Sequence, residues 1–436
     1  MSDYMFMLEN HLNAEQTGFV TKLQSLCAES NSNVFLAGGA MRDMLGGFPL
    51  RDLDFVVEGN AIKTAKAMAA ATGSTIAATD DARKIVEMIL PSGATASIAM
   101  SRQERYVKTG GRPHVTPASI HEDLRCRDFT INSIALSLGK ASRGLLLDPM
   151  NGLADLERRE LRAVHNYVLY DDPVRIWRMI RLKVRLGFAI EERTAAQYAN
   201  ARQANVEKYI GPRALFEQLR HIAGETNPAD VLKELDEQKL LAQICDTLTG
   251  PKLNLPGFAK LLKVRQYIPF GISFPVDDFA LFLFLLSEKL SAKEQSALAA
   301  ATGMDRNEKQ IVGKMQARAR KLEKTLQSAK LQKASQVYSL LAPEKGETVV
   351  FLYLTTQQRL VQDRIRNYLQ KYILAAAEVT SEEVEAEGLK PDSPKFAKRK
   401  AEKIAARLDA RPRKAPEPPI LIPELPVPGG ARAGRA

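Results

Sequence analysis

The chain has 436 residues, with 62 Lys and Arg against 51 Asp and Glu and only three cysteines, Cys27, Cys126 and Cys245. That length supports two or three domains, each with its own core. Three scattered thiols exclude a disulfide framework and a CxxC zinc pattern, and fit a reducing compartment. The longest apolar candidate, residues 279–286, falls far short of the roughly 18 residues of a membrane span. The N-terminus lacks the basic-then-apolar pattern of a signal peptide. A cytoplasmic protein with no membrane partner is the expectation.

In chain order, residues 33–37, 53–57, 84–90 and 96–101 have the length and content of strands, and 61–71 has helical spacing. From about residue 171 the pattern changes to successive helical segments, punctuated by Gly211-Pro212, Asn227-Pro228 and Gly250-Pro251, and reaching residue 377. Residues 389–394 read as a turn, followed by a basic helix to about residue 410. Residues 411–436, rich in Pro, Gly and Ala, read as a disordered tail. The charge is uneven along this path. Residues 1–310 carry 38 Lys and Arg against 37 Asp and Glu, whereas 311–436 carry 24 against 14. A basic end on a neutral body fits a phosphate-backbone partner, and fits a solvated helical surface equally well.

The stretch from Val34 to Gly47 runs a strand into Gly38-Gly39 and then a helix start. Glycines there let another group approach the backbone, and free N–H groups with Arg42 on the first turn suit an anion. Asp52 and Asp54 open the next strand two residues apart, so both carboxylates project from one face. Crowded carboxylates hold best with a divalent cation between them, and Mg²⁺ suits oxygen ligands. A Gly/Arg anion site followed by an Asp pair points to nucleotidyl transfer. Taken singly, each element is more often an ordinary turn or a polar strand edge. Further on, Asp172 and Arg175 are spaced as neighbours on one helix face. Together they offer acceptors and a rigid donor fork to the edge of a base.

These segments resemble the head motifs of class II tRNA nucleotidyltransferases and bacterial poly(A) polymerases. The residues that carry the likeness are the run from Gly38 to Gly47 with Arg51 to Val57, the Glu122–Ser133 segment, the Leu147–Leu156 segment, and Asp171–Arg175 with Arg178 and Arg181. The resemblance implies an α+β fold. Its head, residues 1–165, is a polymerase-β-type nucleotidyltransferase with a mixed sheet. An all-helical neck (166–240), body (241–377) and basic tRNA-binding tail (378–410) follow. It implies Asp52 and Asp54 as catalytic Mg²⁺ ligands. Gly38, Gly39, Arg42, Arg127, Asp128 and Asn132 would bind triphosphate and sugar. Asp172 and Arg175 would serve as an amino-acid template for the base, with Arg178 and Arg181 facing phosphate or supporting it. Residues 106–114 correspond to a flexible loop of the family.

The implied activity is addition of C and/or A to the tRNA 3′ end from CTP and ATP, with release of pyrophosphate; DNA is not an expected partner. Poly(A) polymerase is an alternative that shares every head motif. The chain also departs from the pattern. The segment Ala96–Tyr106 keeps Arg102, Glu104 and Tyr106, but Ser97 stands where the family carries a third carboxylate. A tRNA-binding protein with a weakened catalytic site is therefore the second alternative. Full CCA addition and addition of A or CC alone are not separated by these motifs.

Overall fold

The computed structural model describes residues 3–391 and 393–410; the tail expected at 411–436 lies outside the described residues. The chain divides into two compact units. The first comprises residues up to Lys263 together with Val276–Ala317, and the second Val264–Pro275 with the chain from Arg318 onward.

The first unit opens with α1 (Asp3–His11) and α2 (Ala14–Glu29), the latter started by a capping box between Asn13 and Gln16. A seven-stranded mixed sheet follows, built from β1 (Asn33–Ala37), β2 (Asp52–Glu58), β3 (Thr75–Asp80), β4 (Ile85–Ile89), β5 (Thr95–Met100), β8 (Ala135–Ser137) and β9 (Leu146–Leu147) in the order β3-β4-β5-β2-β1-β8-β9. Only β2 and β5 pair in parallel; the other neighbours are antiparallel. Helix α3 (Gly39–Leu45) leaves the end of β1, and α4 (Ala61–Thr72) carries the chain from β2 to β3. Asn60 caps the start of α4, and Gly73 ends it in the left-handed conformation at φ 72°.

Alternation places Leu53, Phe55, Val57, Val86, Met88, Ala96 and Ile98 on one face of the sheet. There they pack with Phe19, Leu23, Ala65 and Met68 of α2 and α4. The opposite face of β2 presents Asp52, Asp54 and Val56. The hairpin of β6 (Arg102–Arg105) and β7 (His114–Pro117), then α5 (Ile120–Arg125), complete the strand-rich part. The 106–113 loop thus closes a paired hairpin, and the amide of Gly110 donates to the Asp171 carbonyl at 3.2 Å.

Helix α6 (Gly152–Arg158) and β10 (Glu160–Leu161) follow. β10 pairs in parallel with β11 (Ala189–Ile190), across α7 (Val168–Asp171) and α8 (Val174–Leu186). After these come α9 (Glu192–Gln203), α10 (Pro212–Ala223), α11 (Pro228–Glu237), α12 (Leu255–Arg265), α13 (Asp278–Ser287), α14 (Ala292–Ala301) and α15 (Arg306–Leu326). The apolar run at 279–286 is the buried heart of α13, every residue of it enclosed. In the second unit, α16 (Ala334–Leu341), α17 (Gly346–Thr355), α18 (Arg359–Asn367), α19 (Ile373–Ala377) and α20 (Glu382–Glu385) lead to the basic α21 (Pro394–Ala410). Phe396 and Leu408 of α21 are buried, and Asp409 accepts from the Ser335 amide and hydroxyl at 3.0 and 2.8 Å. This basic helix is part of the packed unit.

Candidate active site

The site forms where β1 hands over to α3. Gly38 adopts φ 67°, and a Cβ there would stand 2.8 Å from Arg127 Nη1; one on Gly39 would stand 3.1 Å from Asp54 Oδ2. Both glycines keep open a cradle bounded by Asp54, Arg42 and Arg127. Asp54 is half-buried. Burial, and then the neighbouring Asp52, push its carboxyl above the ordinary value of 3.8, against the opposing effects of the Ser97 hydroxyl, Arg127 and Arg42.

The parallel register sets Thr95 beside Asp52 and Ser97 beside Asp54. The Thr95 hydroxyl donates to Asp52 Oδ1, and Ser97 Oγ donates to Asp54 Oδ1 at 2.9 Å. This strand, which carries Ser97 and no carboxylate at this position, therefore holds both aspartates by hydroxyl groups. Two carboxylates and two hydroxyls make an all-oxygen donor set suited to a hard cation such as Mg²⁺. Among the described residues, no three His, Cys, Asp or Glu side chains are already gathered as a metal-binding group.

Arg42 is buried. Its Nη1 donates to Asn132 Oδ1 at 2.7 Å and its Nε to Asp43 Oδ1 at 2.8 Å. Asp43 in turn accepts from Arg185 of α8 at 2.6 Å. Arg127 is forked onto Asp123 through Nε and Nη2 at 2.9 and 2.8 Å, and its Nη1 donates to the Asn132 carbonyl. Asp128 is buried and accepts from Asn132 Nδ2 at 2.9 Å and Arg178 Nη1 at 2.8 Å. Burial opposes its ionisation, but Arg178 and Arg175 with these hydrogen bonds hold it well below the usual carboxylate range. Asp128 and Asn132 thus order the arginines around the cradle.

Asp172 and Arg175 depart from the expected common helix. Asp172 lies in an extended break (φ −134°, ψ 92°) between α7 and α8, because Pro173 disfavours helical geometry in the residue before it. Its carbonyl accepts from the Arg175 amide at 3.0 Å, which ties the two backbones without pairing the side chains. The Asp172 carboxylate stands 3.9 Å from Arg83 Nη2. Arg175 is buried, with its guanidinium 5.8 Å from the Tyr106 ring centre and Nη2 donating to the Cys126 carbonyl at 3.4 Å. Burial and Glu104 push the Tyr106 hydroxyl up to about 12, so it stays a neutral donor, to Glu104 Oε2 at 2.9 Å. Arg181 points elsewhere. It is buried with Nη1 donating to Glu225 Oε1 at 2.7 Å, a support inside the fold and not an open phosphate ligand. Arg178 is likewise engaged, on Asp128.

Nothing in the sequence singles out Arg83, Thr95, Asp43 or Arg185. Arg83 sits in the β3–β4 turn, and only strand pairing carries it to Glu104 and Asp172. No local spacing signals such neighbours.

Residues 34–162 match the family of the poly A polymerase head domain. The A-adding tRNA nucleotidyltransferase of Halalkalibacterium halodurans is 31% identical over 239 residues, 54% of this chain and 56% of that protein. The CC-adding tRNA nucleotidyltransferase of Deinococcus radiodurans is 35% identical over 209 residues, 48% and 54% of the two chains. The chain thus spans about half the length of these curated relatives. Among solved structures, a tRNA nucleotidyltransferase complexed with a primer tRNA and an incoming ATP analog superposes with TM-score 0.53 at 25% identity, over 82% of this chain and all of that one.

Proposed function

We propose that this chain, whose head is a poly A polymerase head domain, is a tRNA nucleotidyltransferase that adds C and/or A to the tRNA 3′ end from CTP or ATP, releasing pyrophosphate. One observation carries the reading. Asp54, on the same strand face as Asp52, borders a glycine-floored cradle flanked by Arg42 and Arg127, and the polar edges of Asp172 and Arg175 are not spent on each other.

Asp52 and Asp54 are the residues that would hold Mg²⁺, which when bound activates the attacking 3′-hydroxyl and neutralises triphosphate charge. Arg42 and Arg127, fixed by Asp43, Asn132 and Asp123, present positive charge to the phosphates with little reorganisation. The Asp172 carboxylate accepts from the exocyclic amine that cytosine and adenine share. Arg175 donates to the ring acceptor beside it. Uracil and guanine place a carbonyl where that amine would be, so they set two acceptors against each other and are rejected. Tail and body would grip tRNA through phosphates, consistent with the basic C-terminal third.

Three tRNAs given with labelled CTP or ATP test the proposal: one lacking CCA, one lacking only the terminal A, and one complete. Incorporation into the first with both nucleotides assigns CCA addition, and incorporation into one substrate alone assigns CC or A addition. Long homopolymer tails on unrelated RNA would assign poly(A) polymerase. Tight tRNA binding without incorporation would leave a binding protein.

A further inference from the structure

The antiparallel pairing of β4 with β5 sets Glu87 opposite Ser97, and the parallel pairing of β5 with β2 sets Ser97 opposite Asp54. Glu87, Ser97 and Asp54 therefore form one row across three strands, on the face that carries Asp52 and away from the apolar core. Neighbouring strands lie about 4.8 Å apart, so Ser97 stands one strand spacing from each acid. The adjoining β4 positions on this face are Ile85 and Ile89, which bring no charge.

Glu87 is exposed and makes no side-chain hydrogen bond or ion pair among the described residues. The other acids in reach are committed. Glu104 is bound by Arg102 Nε at 2.8 Å and by Tyr106, and these with Arg83 hold it below its ordinary range despite burial. Glu217 pairs with Arg213 at 3.2 Å and lies within 3.9 Å of Arg220. Burial, then Glu217, Asp52 and Asp54, raise the Glu87 carboxyl.

We propose that Glu87 supplies the third carboxylate of the divalent-cation site, displaced by one strand from the position where Ser97 leaves none. Glu87 has one more methylene than an aspartate, and an open side that lets it turn along the row. Ser97 holds Asp54 in place through its hydroxyl. The inference rests on the reading of Asp52 and Asp54 as cation ligands.

The test is Mn²⁺ binding to the full chain without nucleotide, followed by electron paramagnetic resonance and calorimetry. Glu87→Gln should weaken binding by roughly tenfold, as loss of one ligand or its support does. Glu87→Asp, which keeps the charge but shortens the arm, should weaken it similarly. Ser97→Asp should restore affinity in the Glu87→Gln background and add little to the parent chain. Wild-type affinity in Glu87→Gln, with binding abolished in Asp54→Asn, would overturn the role of Glu87 and keep the Asp pair. Wild-type affinity in Glu87→Asp alone would show a distant charge effect and overturn direct ligation. Absence of Mn²⁺ binding in the parent chain would overturn the underlying cation site itself.

Discussion

On the proposed function, Asp54 illustrates a side chain kept for chemistry at a cost in stability. Its carboxyl is raised in the folded state, chiefly by burial and then by Asp52, so the folded chain holds that proton more tightly than the unfolded chain. Ionisation then opposes folding. The penalty is absent below pH 3.8, grows as pH climbs to the folded value, and is constant above it. Asp54→Asn keeps an acceptor for the Ser97 hydroxyl and removes this penalty. In chelator at pH 7 the variant should melt higher than the parent chain. The gain should vanish near pH 4, while nucleotide incorporation is abolished. Equal melting temperatures across the whole range would show that the pair is not strained.

Arg175 supports a second prediction at this scale. Among the described residues its guanidinium sits against Tyr106 with only one long bond, to Cys126, so much of its donor fork is open to a base on the proposed function. Arg175→Ala should lower incorporation of CTP and ATP by two orders of magnitude or so, as loss of a site hydrogen-bonding pair does. UTP and GTP should fall much less. Parallel loss for all four nucleotides, measured as kcat/KM, would remove Arg175 from the template.

At the scale of elements, strands β1, β2, β4 and β5 and helix α4 were legible because each has clear strand or helical content and defined ends. β3 was not. Thr75–Asp80 is an edge strand with almost every residue exposed, so no alternation marks it. β8 is three residues, all buried, too short to show a period. The glycine pair and the two aspartates could be read because their spacing is local. The row that joins Glu87 to Ser97 could not, since register between strands distant in sequence leaves no trace in either one. The break at Asp172 was written in Pro173, but the spacing of Asp172 and Arg175 favoured a continuous helix.

That break yields a prediction. Pro173→Ala restores an amide and lets α8 extend backwards through Asp172, turning its carboxylate away from Arg83. The variant should fold, with circular dichroism unchanged or slightly more helical. Discrimination of CTP over UTP should narrow by roughly tenfold, about 1.4 kcal/mol. Unchanged discrimination would show that the extended conformation of Asp172 has no part in reading the base.

For the whole molecule, the basic excess lies in the C-terminal third, and α21 shows why simple truncation is a poor probe of it. The helix buries Phe396 and Leu408, ties Asp409 to Ser335, and links Arg399 and Lys403 to Glu387 at 2.7 and 2.8 Å. Cutting before it would strip a core as well as a charge. Lys395 and Lys398 are exposed on the same helix, with no partner among the described residues. Their double change to Glu should weaken tRNA binding at low salt and reduce the slope of log affinity against log salt by about two, one for each phosphate no longer neutralised. Incorporation into a short acceptor mimic should be spared. An unaltered salt slope would assign these charges to solvation alone.

The Asp128 carboxylate arises from the sheet-bearing part of the chain, yet its countercharge Arg178 arises from α8, which also supplies Arg185 as the second partner of Asp43 beside Arg42. Among the described residues β10 also finds its only strand partner, β11, beyond that helix. A gene fusion that joined this sheet to a foreign helical region at residue 165 would inherit Asp128 enclosed without its countercharge, and Asp43 with Arg42 alone. An orphaned enclosed charge costs about 3–5 kcal/mol, a large part of the stability of an ordinary domain. The module that keeps these pairs intact therefore extends through α8, and on the proposed function the residues that would read the base travel with those that would hold the phosphates. Exchange between lineages can swap what lies downstream of α8, but cannot hand the sheet a new base reader without also remaking its anion partners.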